Sequence, residues 1–458
     1  MLRGTALSLL LATATACGDN ESIAPADCPG DPVTCRASCA YGAGDLTAGT
    51  LADFPEAGEP MPIDHFIMVM QENRTFDHYF SELTVPGQTV DGASRDATNP
   101  DPTHPGGTIA RFHQTLACFD NPAESWSSVH REIDGGKLDG FTAQSGLDAA
   151  DPTGRRAMGY YDESDLPFYY GLARTFATSD RHFASVQANS WTNRTFYMAG
   201  TSFGITSNVF PPTVDAAGNP LPDLFTRLDA AGVDWAFYVQ DLPTLAILAG
   251  TWAKNFAHIR LYDQFFADAA AGVLPAVTFV EGSDRTGGAS PDEDPPADFQ
   301  VGQAFSAYVT NAVITSPQWK SSALILSYDE QGGLYDHVAP PPACAPDGYA
   351  PQLGSDDVAG AFDVLGLRVP LIIVSPYAKR GYVSHHVTDH TSLLRLLEAR
   401  FGLAALTHRD ANAEPPFDMF DFSHPDFSIP NLPAAPIDDA TKAACLVKYP
   451  AQAKGSGS

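Results

Sequence analysis

The stretch Ile63-Asp-His-Phe-Ile-Met-Val-Met-Gln-Glu-Asn-Arg-Thr-Phe-Asp-His-Tyr-Phe80 opens on an apolar run, 66–70, that ends abruptly at Glu72 and Asn73. A second apolar run, Ala323-Leu-Ile-Leu-Ser-Tyr328, ends the same way, at Asp329 and Glu330. Short apolar runs bounded by polar residues read as buried strands. In open α/β sheets, ligands bind beyond the carboxyl ends of the strands. Two strands that each deliver adjacent oxygen donors to that edge therefore imply one shared cation site. Hard oxygen ligands suit Ca²⁺, Mg²⁺ or Mn²⁺, and Zn²⁺ where carboxylates bind it. The alternative is that each pair merely caps its strand in solvent.

Further apolar, β-branched runs recur at 233–238, 276–280 and 369–374, with helical patterns at 301–313 and 392–401 between or after them. This alternation predicts an α/β fold, a central and mostly parallel sheet flanked by helices on both faces. The helix at 392–401 has Asp389 or Thr391 as its N-cap and Gly402 just past its end. Long Pro- and Gly-rich loops at 88–107, 282–299 and 339–354 are expected as pocket walls. The organisation expected is a leader at 1–16, a Cys-containing linker at 17–60, one catalytic domain at 61–435 and a tail at 436–458.

The balance of 26 basic against 55 acidic residues, a net charge of −29, excludes nucleic acid and anionic membrane as main partners. Arg3, the apolar stretch 6–14 and Ala14-Thr-Ala16 read as a bacterial export signal. Cys17 follows directly, so two readings stand, a cleaved secreted or periplasmic protein and an outer-membrane lipoprotein acylated at Cys17. No other apolar run reaches ~18 residues, so no membrane span is expected. Cys28, Cys35, Cys39, Cys118, Cys344 and Cys445 form an even set, which in an exported chain predicts up to three disulfides of open pairing. A zinc cluster at Cys28, Cys35 and Cys39 is the alternative, but no fourth ligand stands at finger-like spacing.

Ser190 precedes Trp191-Thr-Asn-Arg-Thr-Phe-Tyr-Met-Ala-Gly200, a helical pattern. A hydroxyl at a helix N-terminus lies near free N–H groups that favour an anion such as phosphate. A bound cation would make it a nucleophile; otherwise it is a capping serine. His337 stands seven residues after Glu330, beyond Gly332-Gly333, within reach of the same edge as an acid to a leaving group or a stabiliser. His390, at the start of a helix, is a further inward-facing candidate.

These segments together resemble the bacterial phosphoesterase family that contains non-haemolytic-type phospholipases C and a class of acid phosphatases. The resemblance rests on Gln71-Glu-Asn-Arg-Thr-Phe-Asp-His-Tyr-Phe80, Asp139-Gly-Phe141, Ala188-Asn-Ser-Trp-Thr-Asn-Arg194, Gly272-Val-Leu-Pro275, Leu326-Ser-Tyr-Asp-Glu-Gln-Gly-Gly-Leu-Tyr-Asp-His337, Pro370-Leu-Ile-Ile-Val-Ser-Pro376 and Asp389-His-Thr-Ser392, in the family's order. It implies an alkaline-phosphatase-like fold and hydrolysis of small-molecule or lipid phosphate esters through a phosphoserine. It also implies a divalent ion on Glu72, Asn73, Asp329 and Glu330, with Ser190 as nucleophile and His337 matching a Tyr/Phe-Asp-His element. Asn193 and Arg194 form the family's Asn-Arg pair three residues beyond the nucleophile. Serine at 190 is similar to the phosphatases; the phospholipases usually have threonine. Two positions depart from the pattern: Glu124 and Asp294 stand where histidines are expected. Imidazoles would help hold a phosphomonoester dianion, whereas carboxylates repel it unless a cation intervenes. The departures therefore point to a second divalent ion or to less negative substrates such as diesters. The remaining alternatives are a phospholipase C and a catalytically altered, cation-binding surface protein.

Overall fold

The computed structural model describes residues 28, 30–54 and 61–451, centred on a sheet of eight strands. In chain order these are β1 (His65–Gln71), β2 (Ala177–Ser179), β3 (Trp235–Val239), β4 (Ile259–Leu261), β5 (Val277–Glu281), β6 (Ser322–Tyr328), β7 (Leu371–Val374) and β8 (Tyr382–Ser384). Across the sheet they lie in the order β8-β2-β7-β6-β1-β5-β3-β4. Among the helices are α1 (Pro32–Ala37), α2 (Phe76–Phe80), α3 (Trp126–Ile133), α4 (Pro167–Thr175), α5 (Ser190–Ala199), α6 (Phe299–Ile314), α7 (His390–Phe401) and α8 (Asp439–Lys448).

The expected α/β architecture is observed. β1 is the hinge of the arrangement, parallel to β6 on one side and to β5 on the other, with Ile67 opposite both Leu324 and Thr278. Every residue of β6 and all but the first of β1 are buried. Successive side chains of a strand point to opposite faces, so both faces of the sheet are covered. Long apolar runs without alternation were the sequence mark of that burial. The pattern did not mark direction, and β7 runs antiparallel to β6 and β2. Pro370 has no N–H for the ladder, and the strand begins just after it, at Leu371.

Three disulfides close among the described residues, Cys28–Cys35, Cys39–Cys344 and Cys118–Cys445. The cysteines considered for zinc are thus spent on sulfur bonds. The 17–60 segment, expected as linker, holds α1 where it is described. Asp31 caps α1 through Thr34 N at 3.0 Å, and the buried Arg36 binds Asp53 at 2.5 Å and Thr50 O at 2.7 Å. The expected tail likewise contains α8, capped by Asp438 and tied to the body through Cys445. Neither segment is periodic in sequence, because long-range covalent links supply the order that a hydrophobic stripe would otherwise provide. The export signal, Cys17 and the terminal Ala-Lys-Gly-Ser-Gly-Ser lie outside the described residues. No described helix is long and apolar enough to cross a membrane.

One buried acid sits in the core away from any cation. Glu132 on α3 is fully buried and neither carboxylate oxygen has a partner. Burial, and then the charge of Glu124, push its pKa well above the usual carboxylate range. A folded-state pKa above the unfolded one gives stability that is complete at low pH and is lost as pH rises toward the folded value. The loss runs at about 1.4 kcal/mol per pH unit while the unfolded chain is ionised and the folded one protonated. Glu132→Gln should therefore gain in melting temperature over the parent progressively between pH 5 and pH 8. Parallel melting curves across that range would contradict it.

Candidate active site

The carboxyl ends of β1 and β6 lie side by side, and backbone hydrogen bonds lock the residues just beyond them. Asp329 N donates to Gln71 O at 3.1 Å, and Asn73 N donates to Asp329 Oδ1 at 3.1 Å. Asn73 has φ 61°, a left-handed conformation that asparagine tolerates better than most residues. Gly332 and Gly333 bring the second loop close: a Cβ on Gly332 would lie 2.6 Å from Asn73 O, and one on Gly333 2.1 Å from Ala123 O. Against this pair of strand ends comes the N-terminus of α5. Asn189 occupies the cap position and Ser190 is the first helical residue, 7% exposed. Its Oγ donates to Asn73 Oδ1 at 3.2 Å. The Asn189 side chain does not cap this helix; Asn208 Oδ1 accepts from Trp191 N at 3.0 Å instead, and the positive end of α5 faces the same space.

Charge there is heavily negative. Glu124, Asp294 and Asp329 bond Asn73, and Glu72, Asp292 and Glu330 stand one or two residues from Asn73, Asp294 and Asp329 in the chain. Arg194, one helical turn beyond Ser190, is the one guanidinium ion-paired with any of them among the described residues. Its Nη2 lies 2.8 Å from Glu72 Oε1 and its Nε 2.9 Å from Asp329 Oδ2. The Asn73 Nδ2 donates both to Glu124 Oε2 at 2.8 Å and to Asp294 Oδ1 at 2.6 Å. Asn121 Nδ2 also reaches Glu124, at 2.9 Å. Burial pushes Glu124 up to about 7, and the charges of Asp329 and Glu72 add to it. Burial likewise drives Asp294 and Glu330 well above the carboxylate range, with Glu124 and Asp329 raising both further. Glu72 is raised by burial against the pull of Arg194, and Asp292 by burial and then by Glu72.

Two of these oxygens, Glu330 Oε1 and Asp292 Oδ2, are buried without a partner. Orphaned acceptors cost free energy unless something positive meets them. The donor set, hard oxygens with more negative charge than Arg194 can balance, fits a divalent cation. Tight three-residue convergence of potential ligands occurs elsewhere, at Asp77, Asp336 and His337 and at His113, Asp162 and Asp165. In the first of these Arg368 already lies 3.1 Å from Asp77 and 2.9 Å from Asp336, and His337 pairs with Asp77.

The structure therefore brings together Glu72, Asn73, Glu124, Ser190, Arg194, Asp294, Asp329 and Glu330. His390 supports them from behind, its Nε2 bonding Asp329 O at 2.7 Å. Asn193 lies in the same helix but faces the backbone. Its amide is spent on Val186 and on Ala188 O at 2.8 Å, which shapes the turn into Ser190 and leaves it no substrate contact. His337 does not join the group. Its Nδ1 binds Asp77 Oδ2 at 2.6 Å and its Nε2 lies 3.2 Å from Asp91 Oδ1. Burial opposes its charge, yet the Asp77 hydrogen bond and charge hold its pKa above the usual histidine value. Physically, the two left-handed glycines turn the chain so that 334–337 runs along α2, with Thr75 Oγ1 bonding Tyr335 O at 2.9 Å. Of the three long loops, 282–298 does wall the site. The 339–354 loop instead meets the N-terminal segment through Cys39–Cys344.

Sequence reasoning missed Asn121, Asp292 and Glu293. The acidic triplet 292–294 in a long loop was a visible signal; nothing marked Asn121. Beside the acidic group opens a cleft of about 210 Å³, lined by Glu72, Trp191, Arg194, Phe210, Leu242 and Asp292 among others. Phe210 and Leu242 are 60% and 50% exposed.

The family model described as the phosphoesterase family matches residues 63–404. Non-specific phospholipase C1 of Arabidopsis thaliana is 32% identical over 376 residues, 76% of this chain and 69% of that protein. Phospholipase C B of Mycobacterium tuberculosis is 30% identical over 463 residues, 90% of this chain and 85% of that protein. A solved structure of a protein in the alkaline phosphatase superfamily from Vibrio parahaemolyticus is 10% identical, with a TM-score of 0.35 over 74% of this chain and 91% of that one. At that score the likeness adds nothing to the sheet topology already described.

Proposed function

This chain belongs to the phosphoesterase family and is a hydrolase of phosphoric ester bonds, and we propose that it works through Ser190 as nucleophile, on phosphodiesters in preference to monoesters. The observation that carries the proposal is the 3.2 Å bond from Ser190 Oγ to Asn73 Oδ1, at a helix N-terminus beside six carboxylates. In the proposed reaction Ser190 Oγ loses its proton to solvent and attacks phosphorus in line, the P–O bond to the alcohol breaks as the alkoxide takes a proton from solvent, and water then hydrolyses the phosphoserine. Asn73 orients the hydroxyl by accepting its hydrogen bond. The positive N-terminal end of α5 would face the equatorial oxygens, whose charge grows in the transition state. Arg194 keeps Glu72 and Asp329 in place, and His390 does the same for the Asp329 carbonyl. Glu72, Asn73, Asp329 and Glu330 would hold a divalent ion, which when bound neutralises phosphoryl charge and lowers the serine pKa.

Glu124 and Asp294 support the diester preference. A monoester carries about two negative charges near neutral pH and a diester one, so Glu124 and Asp294, when a bound divalent ion holds them ionised, would penalise the monoester more. The test is a panel of chromogenic mono-, di- and triesters and a sulfate ester, assayed with Ca²⁺, Mn²⁺ and Zn²⁺ and after chelation. Diester turnover above monoester turnover, lost on chelation and restored by one of the ions, is expected. Monoester turnover far above that of matched diesters would remove the preference.

A phospholipase C activity is the second reading. The apolar rim of Trp191, Phe210 and Leu242 favours it, since a lipid diester needs an apolar approach. Release of phosphorylated headgroup from phospholipid vesicles separates it from action on soluble diesters alone. Three disulfides support export to the periplasm or beyond, where such bonds persist; acylation of Cys17 is part of the same proposal.

A further inference from the structure

We propose that Glu293 is a positioning residue for the Ser190 centre, pinning the 292–294 segment so that it holds Glu72 and Asn73 in place. The proposal rests on Ser190 as the nucleophile.

Glu293 is fully buried and sits at φ 75°, a backbone conformation that costs a side-chain-bearing residue free energy unless its surroundings impose it. What imposes it is a cage of phenols. The hydroxyls of Tyr79 on α2 at 2.5 Å, Tyr328 at the end of β6 at 2.9 Å and Tyr169 on α4 all donate to the Glu293 carboxylate. Gln71 Nε2 lies 3.4 Å from Oε1, and Arg74 Nη2 donates to the Glu293 carbonyl at 2.6 Å. Even the space is reserved, since a Cβ on Gly302 would fall 2.0 Å from Glu293 Cγ. A carboxylate in the core is costly, and a well-packed apolar residue would serve stability as well. Three donors converging from three elements instead fix one side chain at one place and orientation.

The residues on either side carry that fixity to the site. Asp292 O accepts from Glu72 N at 2.8 Å. Asp294 Oδ1 takes the Asn73 amide at 2.6 Å, which leaves Asn73 Oδ1 turned to Ser190. Glu293 makes no described hydrogen bond to Ser190, Asn73 or Glu72, so it acts only through its neighbours.

The experiment compares kcat and KM on a chromogenic diester for the full chain and for Glu293→Gln, Tyr169→Phe and Ser190→Ala, with melting temperatures and the fraction of active chains. Glu293→Gln should lower kcat about 30-fold and leave KM within about threefold, the size expected when a reacting group is misplaced by a fraction of an ångström. Tyr169→Phe removes one of the three donors, on a residue that does not line the cleft, and should lower kcat by about 3- to 10-fold, again with KM kept. Parent-like kcat in folded Glu293→Gln overturns the proposal and leaves the nucleophile reading standing. If Glu293→Gln fails to fold, parent-like kcat in Tyr169→Phe overturns it. A loss expressed only as fewer active chains also overturns it, because that is what a purely structural residue would give. Parent-like turnover in Ser190→Ala, where Glu293 is untouched, would remove the nucleophile reading and this proposal with it.

Discussion

Ser190→Ala should lower turnover by on the order of 10⁴-fold or more while the chain stays folded. The hydroxyl is the only reacting group removed, and no other described hydroxyl bonds Asn73 Oδ1. Its structural weight is small. It gives up one neutral hydrogen bond of 3.2 Å, worth about 0.5–1.5 kcal/mol, and α5 keeps its first turn because Asn208, not Ser190, accepts from the Trp191 N–H. A drop in melting temperature of no more than a few degrees should therefore accompany the loss of rate. Ser190→Thr keeps the oxygen and should retain far more activity than the alanine variant. Alanine-variant rates near the parent's would end the assignment.

Arg194→Met should be the most destabilising single change near the site. The guanidinium bridges Glu72 and Asp329 with two different nitrogens and also reaches Thr244 Oγ1 at 3.2 Å. Methionine fills much of the same space but leaves two carboxylates without their counter-charge. Removing one partner of a buried pair costs about 3–5 kcal/mol. Lysine should rescue poorly, because a point charge cannot bridge both acids as the planar fork does. Thermal unfolding in chelator is the measurement. If a divalent ion binds these oxygens, millimolar cation should recover part of the lost melting temperature in Arg194→Met and add less to the parent. A loss below about 1 kcal/mol in chelator would mean the pair behaves as a solvent-screened surface pair.

Much of this arrangement could be read from particular residues. Glu72-Asn73 and Asp329-Glu330 each come at the end of a mostly apolar run, and such runs are what strands buried on both faces look like. Where a strand ends is a local property, so the point at which each oxygen pair leaves the sheet was visible. Ser190 was visible because a helical pattern begins there. Glu124 and Asp294 stood out only against the family pattern, where histidines were expected. Their meeting on one amide, from distant parts of the chain, had no local signature. The placement of His337 has the same origin: seven residues from Glu330 is within reach, and past two left-handed glycines its ring bonds Asp77.

Apolar runs and turn residues thus settled the covered layers and five of the eight strands, with the sheet edge proposed for the chemistry, because burial and backbone conformation are decided largely by near neighbours along the chain; the short β2, β4 and β8 carried no such run. The direction of β7, the disulfide partners, the Arg194 bridge and the phenol cage around Glu293 came only with folding. Hydrogen bonds and ion pairs act across a few ångströms of space whatever the separation in sequence. Which acid meets which base is therefore a property of the packed chain, with no counterpart in any local stretch of it.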